Sequence, residues 1–96
     1  MRQVMVRYKV KPERVEENEA LVRAVYEELA AAEPEGIRYA TFRLDDGVSF
    51  VHMALLSDRG SLNELGAFQR FTADIRDRCD EPPVTTDLHA IGAYRL

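Results

Sequence analysis

Over residues 2–11 the chain alternates, with Val4, Val6, Tyr8 and Val10 on one side and Gln3, Met5, Arg7 and Lys9 on the other. Period two with β-branched residues marks a strand with one apolar face. Pro12 stops that strand and suits the first turn of a helix, where its missing N–H is not needed. The apolar period then becomes helical: Val15, Leu21, Val22, Val25 and Leu29 recur with charges between them. Glu13, Glu16, Glu17 and Glu19 suit the positive end of the helix dipole. Ala30, Ala31 and Ala32 extend the helix until Pro34 and Gly36 end it. A half-apolar strand feeding an amphipathic helix calls for a sheet with helices layered on it.

The rest of the chain continues the theme. Residues 37–44 alternate, Asp45-Asp46-Gly47 follows, and residues 48–56 form a third strand. A three-residue loop with glycine in third place suits a type I turn closed by a bulge, with Gly47 at positive φ. That register sets Phe42 beside Phe50 and Ala40 beside His52, with Tyr39 and Met53 on the opposite face. A two-residue Asp46-Gly47 loop reverses these facings, because a slip of one residue moves every side chain across the sheet. Residues 57–60 read as a loop. Ser61-Leu62-Asn63-Glu64 has capping-box spacing. Leu65, Phe68, Phe71 or Thr72, Ile75 and Cys79 mark the apolar stripe of a second helix. Pro82-Pro83 rules out its continuation, and residues 84–95 read as the least regular strand.

The order β-α-β-β-α-β in 96 residues gives an α+β, ferredoxin-like layout with both helices on one face of a four-stranded antiparallel sheet. The face with Val4, Val6, Tyr8, Val51, Met53 and Leu55 is expected under the helices. The other face then holds Met5, Arg7, Ala40, Phe42, Phe50, His52, Ala54 and Leu56, with His89 and Ile91 from the last strand. That mixture is too apolar to leave in water, so it must cover a ligand, a partner, or both.

Seventeen acids against 13 bases, for a formal charge of −4, argue against a nucleic-acid binder. An RNA-recognition module has the same element order, but residues 4–8 and 49–54 lack its pattern of stacking aromatics. No apolar run approaches the roughly 20 residues that cross a bilayer. The charged N-terminal residues do not read as a signal peptide, and Cys79 is the only cysteine, so a cytoplasmic location is expected. Two histidines and one cysteine without paired spacing point to no metal site.

The chain resembles the antibiotic-biosynthesis monooxygenase-like group of dimeric α/β-barrel proteins. The resemblance is carried by Val10-Lys11-Pro12-Glu13, Glu33-Pro34-Glu35-Gly36-Ile37-Arg38-Tyr39, Phe50-Val51-His52-Met53-Ala54 and Leu65-Gly66-Ala67-Phe68-Gln69-Arg70-Phe71. It implies a single domain over residues 1–96 and a homodimer whose sheets face each other, with a ligand cavity beside each sheet. Activities known in the group include cofactor-independent oxygenation of phenolic polyketides or quinols, haem degradation and lactone isomerisation. The chain has no Trp, and no His in its second helix, which disfavours the haem-degrading branch.

His52 is the candidate catalytic base, since an imidazole titrates near neutrality and could take a proton from a phenol. An electron-rich substrate anion could then reduce O₂ itself, with no bound cofactor. The competing role for His52 is a hydrogen-bonded residue at a subunit contact. Arg7, Phe42, Phe50 and His89 are the candidate substrate-binding residues. Arg7 could hold a carboxylate or phenolate, or form a salt bridge between subunits. Asp87 shares a face with His89 and could orient its ring. Tyr39, Tyr94, Phe42 and Phe50 could shape an aromatic cavity, although strand aromatics more often simply pack. Cys79 reads as structural. The expected function is a cofactor-independent monooxygenase for a small aromatic, quinol or polyketide-type substrate. The alternatives are a non-catalytic homodimer that binds a small ligand or assists another enzyme, and an isomerase or cyclase on the same scaffold.

Overall fold

The computed structural model describes residues 2–95. Strand β1 spans Arg2–Val10 and leads through a 3₁₀ turn at Pro12–Arg14 into helix α1, Val15–Ala32. Strands β2, Ile37–Arg43, and β3, Ser49–Leu56, form a hairpin. Helices α2, Gly66–Ala73, and α3, Ile75–Arg78, precede strand β4, Cys79–Asp87. The sheet has the antiparallel order β2-β3-β1-β4, so the α+β ferredoxin-like layout expected from the sequence is the observed one. Its core packs Tyr8, Val10 and Phe50 of the sheet against Val22, Val25, Ala67 and Phe71 of the helices.

The hairpin register differs from the expected one by one residue. The Leu44 N–H donates to the Ser49 carbonyl at 2.9 Å, and the Gly47 N–H to the Leu44 carbonyl at 3.0 Å, which leaves residues 45–48 as a four-residue loop. The Asp46 carboxylate causes this: Oδ1 accepts the N–H groups of Val48 at 3.0 Å and Ser49 at 2.8 Å. The Ser49 hydroxyl donates to Asp46 Oδ2 as well, and these bonds lower the Asp46 pKa to about 2. Gly47 takes φ +78°, which favours glycine. Phe42 is therefore paired with Val51, and Thr41 with His52. Across the other ladder Tyr8 faces Phe50, Val6 faces His52 and Val4 faces Ala54. Phe50 and His52 thus lie under the helices, and Val51, Met53 and Leu55 turn to the open face, the reverse of the expected arrangement. Arg7 and Phe42 are on the open face, as expected, and both are exposed.

Two further boundaries move. The 61–64 segment does not open the second helix. Leu62 and Leu65 are buried there instead, packing on Val4 and Ala54. Helix α2 begins at Gly66, and its first N–H groups are met by α1: Glu28 accepts from Ala67 at 2.7 Å and from Gly66 at 3.3 Å. A carboxylate there also meets the positive helix end. The last strand begins at Cys79 and ends at Asp87, so His89 lies beyond it, exposed, rather than on the open sheet face. Pro82-Pro83 falls within β4, where two residues of β4 oppose Tyr8 alone, because Arg7 pairs with Val84 and Lys9 with Glu81. An edge strand with a bulge tolerates proline. Gly36, at φ +77°, lies against the Ser57 side chain so closely that a Cβ would overlap it.

Replacing Glu28 with alanine is expected to lower unfolding stability by about 1–2 kcal/mol, and replacement with glutamine by less. Urea melts with an unchanged m-value would record the loss, and an unaltered midpoint for Glu28→Ala would refute the capping role.

Candidate functional site

A cavity of about 860 Å³ lies between the helix-covered face of the sheet and helices α2 and α3. Val4, Val6, Ala54, Leu62, Phe68 and Phe71 make its wall largely apolar. Tyr39 and His52 also line it, as do Arg2, Asp58 and Arg76. The strand period explains the grouping: Val4 and Val6, Tyr39, and His52 and Ala54 share one face of adjacent strands.

His52 is 4% exposed, and both ring nitrogens are engaged by hydroxyl groups. Nε2 lies 2.7 Å from the Tyr8 hydroxyl. Nδ1 lies 2.5 Å from the Tyr39 hydroxyl and 3.0 Å from Thr41 Oγ1, which in turn meets the Tyr26 hydroxyl at 2.8 Å. Behind Tyr8, Asn18 Nδ2 donates to the Tyr8 oxygen at 3.0 Å, and Arg78 Nε donates to Asn18 Oδ1 at 3.2 Å. Arg78 Nη2 donates to the Phe71 carbonyl at 2.7 Å, and its guanidinium lies 5.3 Å from the Phe71 ring centroid. Seven side chains from both sheet and helices thus form one polar chain through the core, ending at the cavity wall.

Burial sets the protonation states. It pushes the His52 pKa down to about 4, so the ring is neutral at pH 7. Burial also raises the Tyr8 and Tyr39 phenols well above their usual range, so both keep their protons. Neutral rings and hydroxyls can sit in this apolar setting, whereas an imidazolium there has no carboxylate beside it among its hydrogen-bond partners.

Of the candidate site residues singled out from sequence, His52 and Tyr39 reach this cavity. Phe50 is buried in the core, stacked 5.6 Å from Tyr8. Arg7 and Phe42 stand on the far side of the sheet. His89 lines a separate surface depression with Arg2, Gln3, Asp87, Leu88 and Ala90. Among the described residues, no group of three or more His, Cys, Asp or Glu side chains is gathered as a metal ion would require. No helix among them is long and apolar enough to cross a membrane. The sequence reading missed Tyr8, Asn18 and Arg78. A signal for Asn18 exists: it stands four and seven residues before Val22 and Val25, a polar residue on an apolar stripe.

The fold recurs in solved structures. Rv0793 from Mycobacterium tuberculosis is 18% identical and matches over 96% of each chain with a TM-score of 0.76. A structure of an antibiotic biosynthesis monooxygenase is 20% identical, covering 96% of this chain and 100% of its own, with a TM-score of 0.76. A variant of SnoaB, a cofactor-independent oxygenase from Streptomyces nogalater, is 16% identical over 99% of this chain and 97% of its own, with a TM-score of 0.71. No family model matches the chain, and no curated protein matches its sequence. At these identities the likeness is one of fold: the chain has the architecture of antibiotic-biosynthesis monooxygenase-like proteins.

The unfolded chain takes up the His52 proton near pH 6.5 and the folded chain only near 4. Between those values the unfolded state binds more protons, so folding stability falls as pH falls, by about 3 kcal/mol across the window. Asp46 loses its contribution at lower pH still. Urea melts from pH 7 to 4.5 should show this slope in the parent protein and a shallower one in His52→Gln. Equal slopes would contradict a buried, neutral His52.

Proposed function

We propose that the chain is a cofactor-independent monooxygenase for a small aromatic, quinol or polyketide-type phenol, bound in the cavity beside Tyr39 and His52. The observation that carries this reading is a neutral, buried His52 behind a Tyr39 hydroxyl on the wall of a largely apolar cavity. The fold shared with SnoaB, itself a cofactor-independent oxygenase, supports it.

The chemistry asks little of the protein. An anthrone-type substrate ionises, and its proton leaves by the mouth of the cavity. The electron-rich anion gives one electron to O₂, and the resulting carbon radical and superoxide combine into a peroxide anion. Uptake of a proton and loss of water leave a quinone, with one oxygen atom in the product and the other in water. The cavity contributes positioning, exclusion of water and stabilisation of the anion. His52 serves this step through Tyr39, because Tyr39 and Thr41 stand at Nδ1, and Tyr8 at Nε2. With a pKa near 4 it is a weak proton acceptor, so the site acts by favouring the substrate anion rather than by storing its proton.

We also propose a homodimer closed by the open sheet face. Met5, Val51, Met53, Leu55 and Val84 turn there beside Phe42, and Phe42 is 55% and Val84 63% exposed. Leaving such a row in water is costly. Arg7 and Phe42 belong to that contact in this reading rather than to the substrate.

Oxygen uptake with anthrones or hydroquinones, without added cofactor, tests the activity. Tyr39→Phe should lower kcat on the order of 10²-fold, the usual cost of one lost donor to a developing anion. Retained ligand with no uptake across such a panel would replace the oxygenase reading with that of a binding protein. Light scattering should give twice the 11.0 kDa chain mass, and Met53→Glu should halve it; a parent particle of single-chain mass would refute the dimer.

A further inference from the structure

The polar chain from Arg78 to Tyr39 has a direction, and one residue sets it. A guanidinium can only donate hydrogen bonds. Asn18 Oδ1 accepts from Arg78 Nε, so the Asn18 amide nitrogen must face Tyr8 and donate to its oxygen. The Tyr8 hydroxyl hydrogen then has one acceptor within reach, His52 Nε2 at 2.7 Å. Tyr8 is 2% exposed, and leaving that hydrogen unpaired would cost about 1–3 kcal/mol. Nε2 therefore carries no proton, and in a neutral ring Nδ1 does. Nδ1 donates outward, to Tyr39 at 2.5 Å and Thr41 at 3.0 Å. The Tyr39 hydroxyl hydrogen has no place on Nδ1, which leaves it the Thr41 hydroxyl or an acceptor in the cavity. In the opposite tautomer Tyr39 would donate to Nδ1 and offer the cavity only lone pairs.

We propose that Arg78 is a positioning residue that, through Asn18, Tyr8 and His52, makes Tyr39 a hydrogen-bond donor to the cavity, which therefore binds the anionic oxygen of a phenolate or enolate. This deepens the oxygenase reading, from which it takes only that the occupant is a phenol. Each link donates to the next, so the chain ends as a donor on the cavity wall with a cation at its origin. Such a chain polarises its members in the same sense, which strengthens the last donor.

Two readouts test this without turnover. In His89→Gln, His52 is the one histidine left, and ¹⁵N chemical shifts of its ring report the tautomer directly. Protonated Nδ1 and bare Nε2 at pH 7 are expected; protonated Nε2 would overturn the proposal. Adding Asn18→Asp places a carboxylate that accepts from both Arg78 and Tyr8, so the ring proton should move to Nε2. A folded Asn18→Asp that keeps the proton on Nδ1 would show that this end of the chain does not set the direction. The second readout uses 4-nitrophenol, whose phenolate absorbs visible light. Below its own pKa, the bound fraction ionised should rise about tenfold over that in free solution, and Tyr39→Phe should abolish the rise. Binding as the neutral phenol, or no binding, would overturn the oxyanion role. Neither readout depends on oxygen uptake, so failure of the oxygenase reading alone leaves both outcomes legible.

Discussion

A guanidinium buried without a carboxylate among its hydrogen-bond partners organises this protein. Arg78 is wholly buried, and it is held by the Phe71 carbonyl, the Asn18 amide oxygen and the face of the Phe71 ring. A charge in that position tolerates only groups that accept from it or that present electron density. Phe71 therefore has two duties, one as a core ring and one as an acceptor, and Asn18 has no freedom to flip. Tyr8 and His52 inherit their orientation from that constraint. The same few residues tie α1, α2 and α3 to the sheet.

The first half of the fold could be read from the sequence because its periods are clean. In β1 all the β-branched residues lie on one side, and in α1 the stripe from Val15 to Leu29 has charged neighbours. The β2–β3 hairpin was harder for a physical reason. Both faces of β3 are apolar, Phe50, Ala54 and Leu56 on one side and Val51, Met53 and Leu55 on the other, so the pattern does not say which is buried. The turn decides, and a carboxylate at Asp46 that gathers two backbone N–H groups favours a four-residue loop over the bulged three-residue one. That single step carries His52 from the open face to the helix-covered one.

The site itself was only partly legible. His52 stands out in any sequence reading because it is polar in an apolar strand. Its partners do not, since residues 8, 18, 26, 39, 41 and 78 are scattered and meet only after the sheet and helices assemble. Tyr8 reads as an ordinary packing aromatic and Tyr39 as a ring that packs or shapes a cavity, and their hydroxyls acquire meaning from what lies at the ring tips. Arg78 reads as a basic residue at a helix end, where the dipole alone would explain it. Two apolar sheet faces also obscure which chamber matters. The helix-covered face borders the cavity, while the other face is left uncovered by the helices.

The pair Pro82-Pro83 bears on how copies of this chain can meet at all. Neither residue has an N–H to give, and they occupy the bulge in the outermost strand, beside the acidic Asp80 and Glu81. A neighbouring strand arriving at that margin would find an interrupted row of donors and like charges along it. Ribbon-like growth by strand addition is therefore blocked on this side of the molecule, even though the chain exposes a sticky broadside. In the dimer proposed above the sheets meet face to face, and this margin offers no route to open-ended filaments.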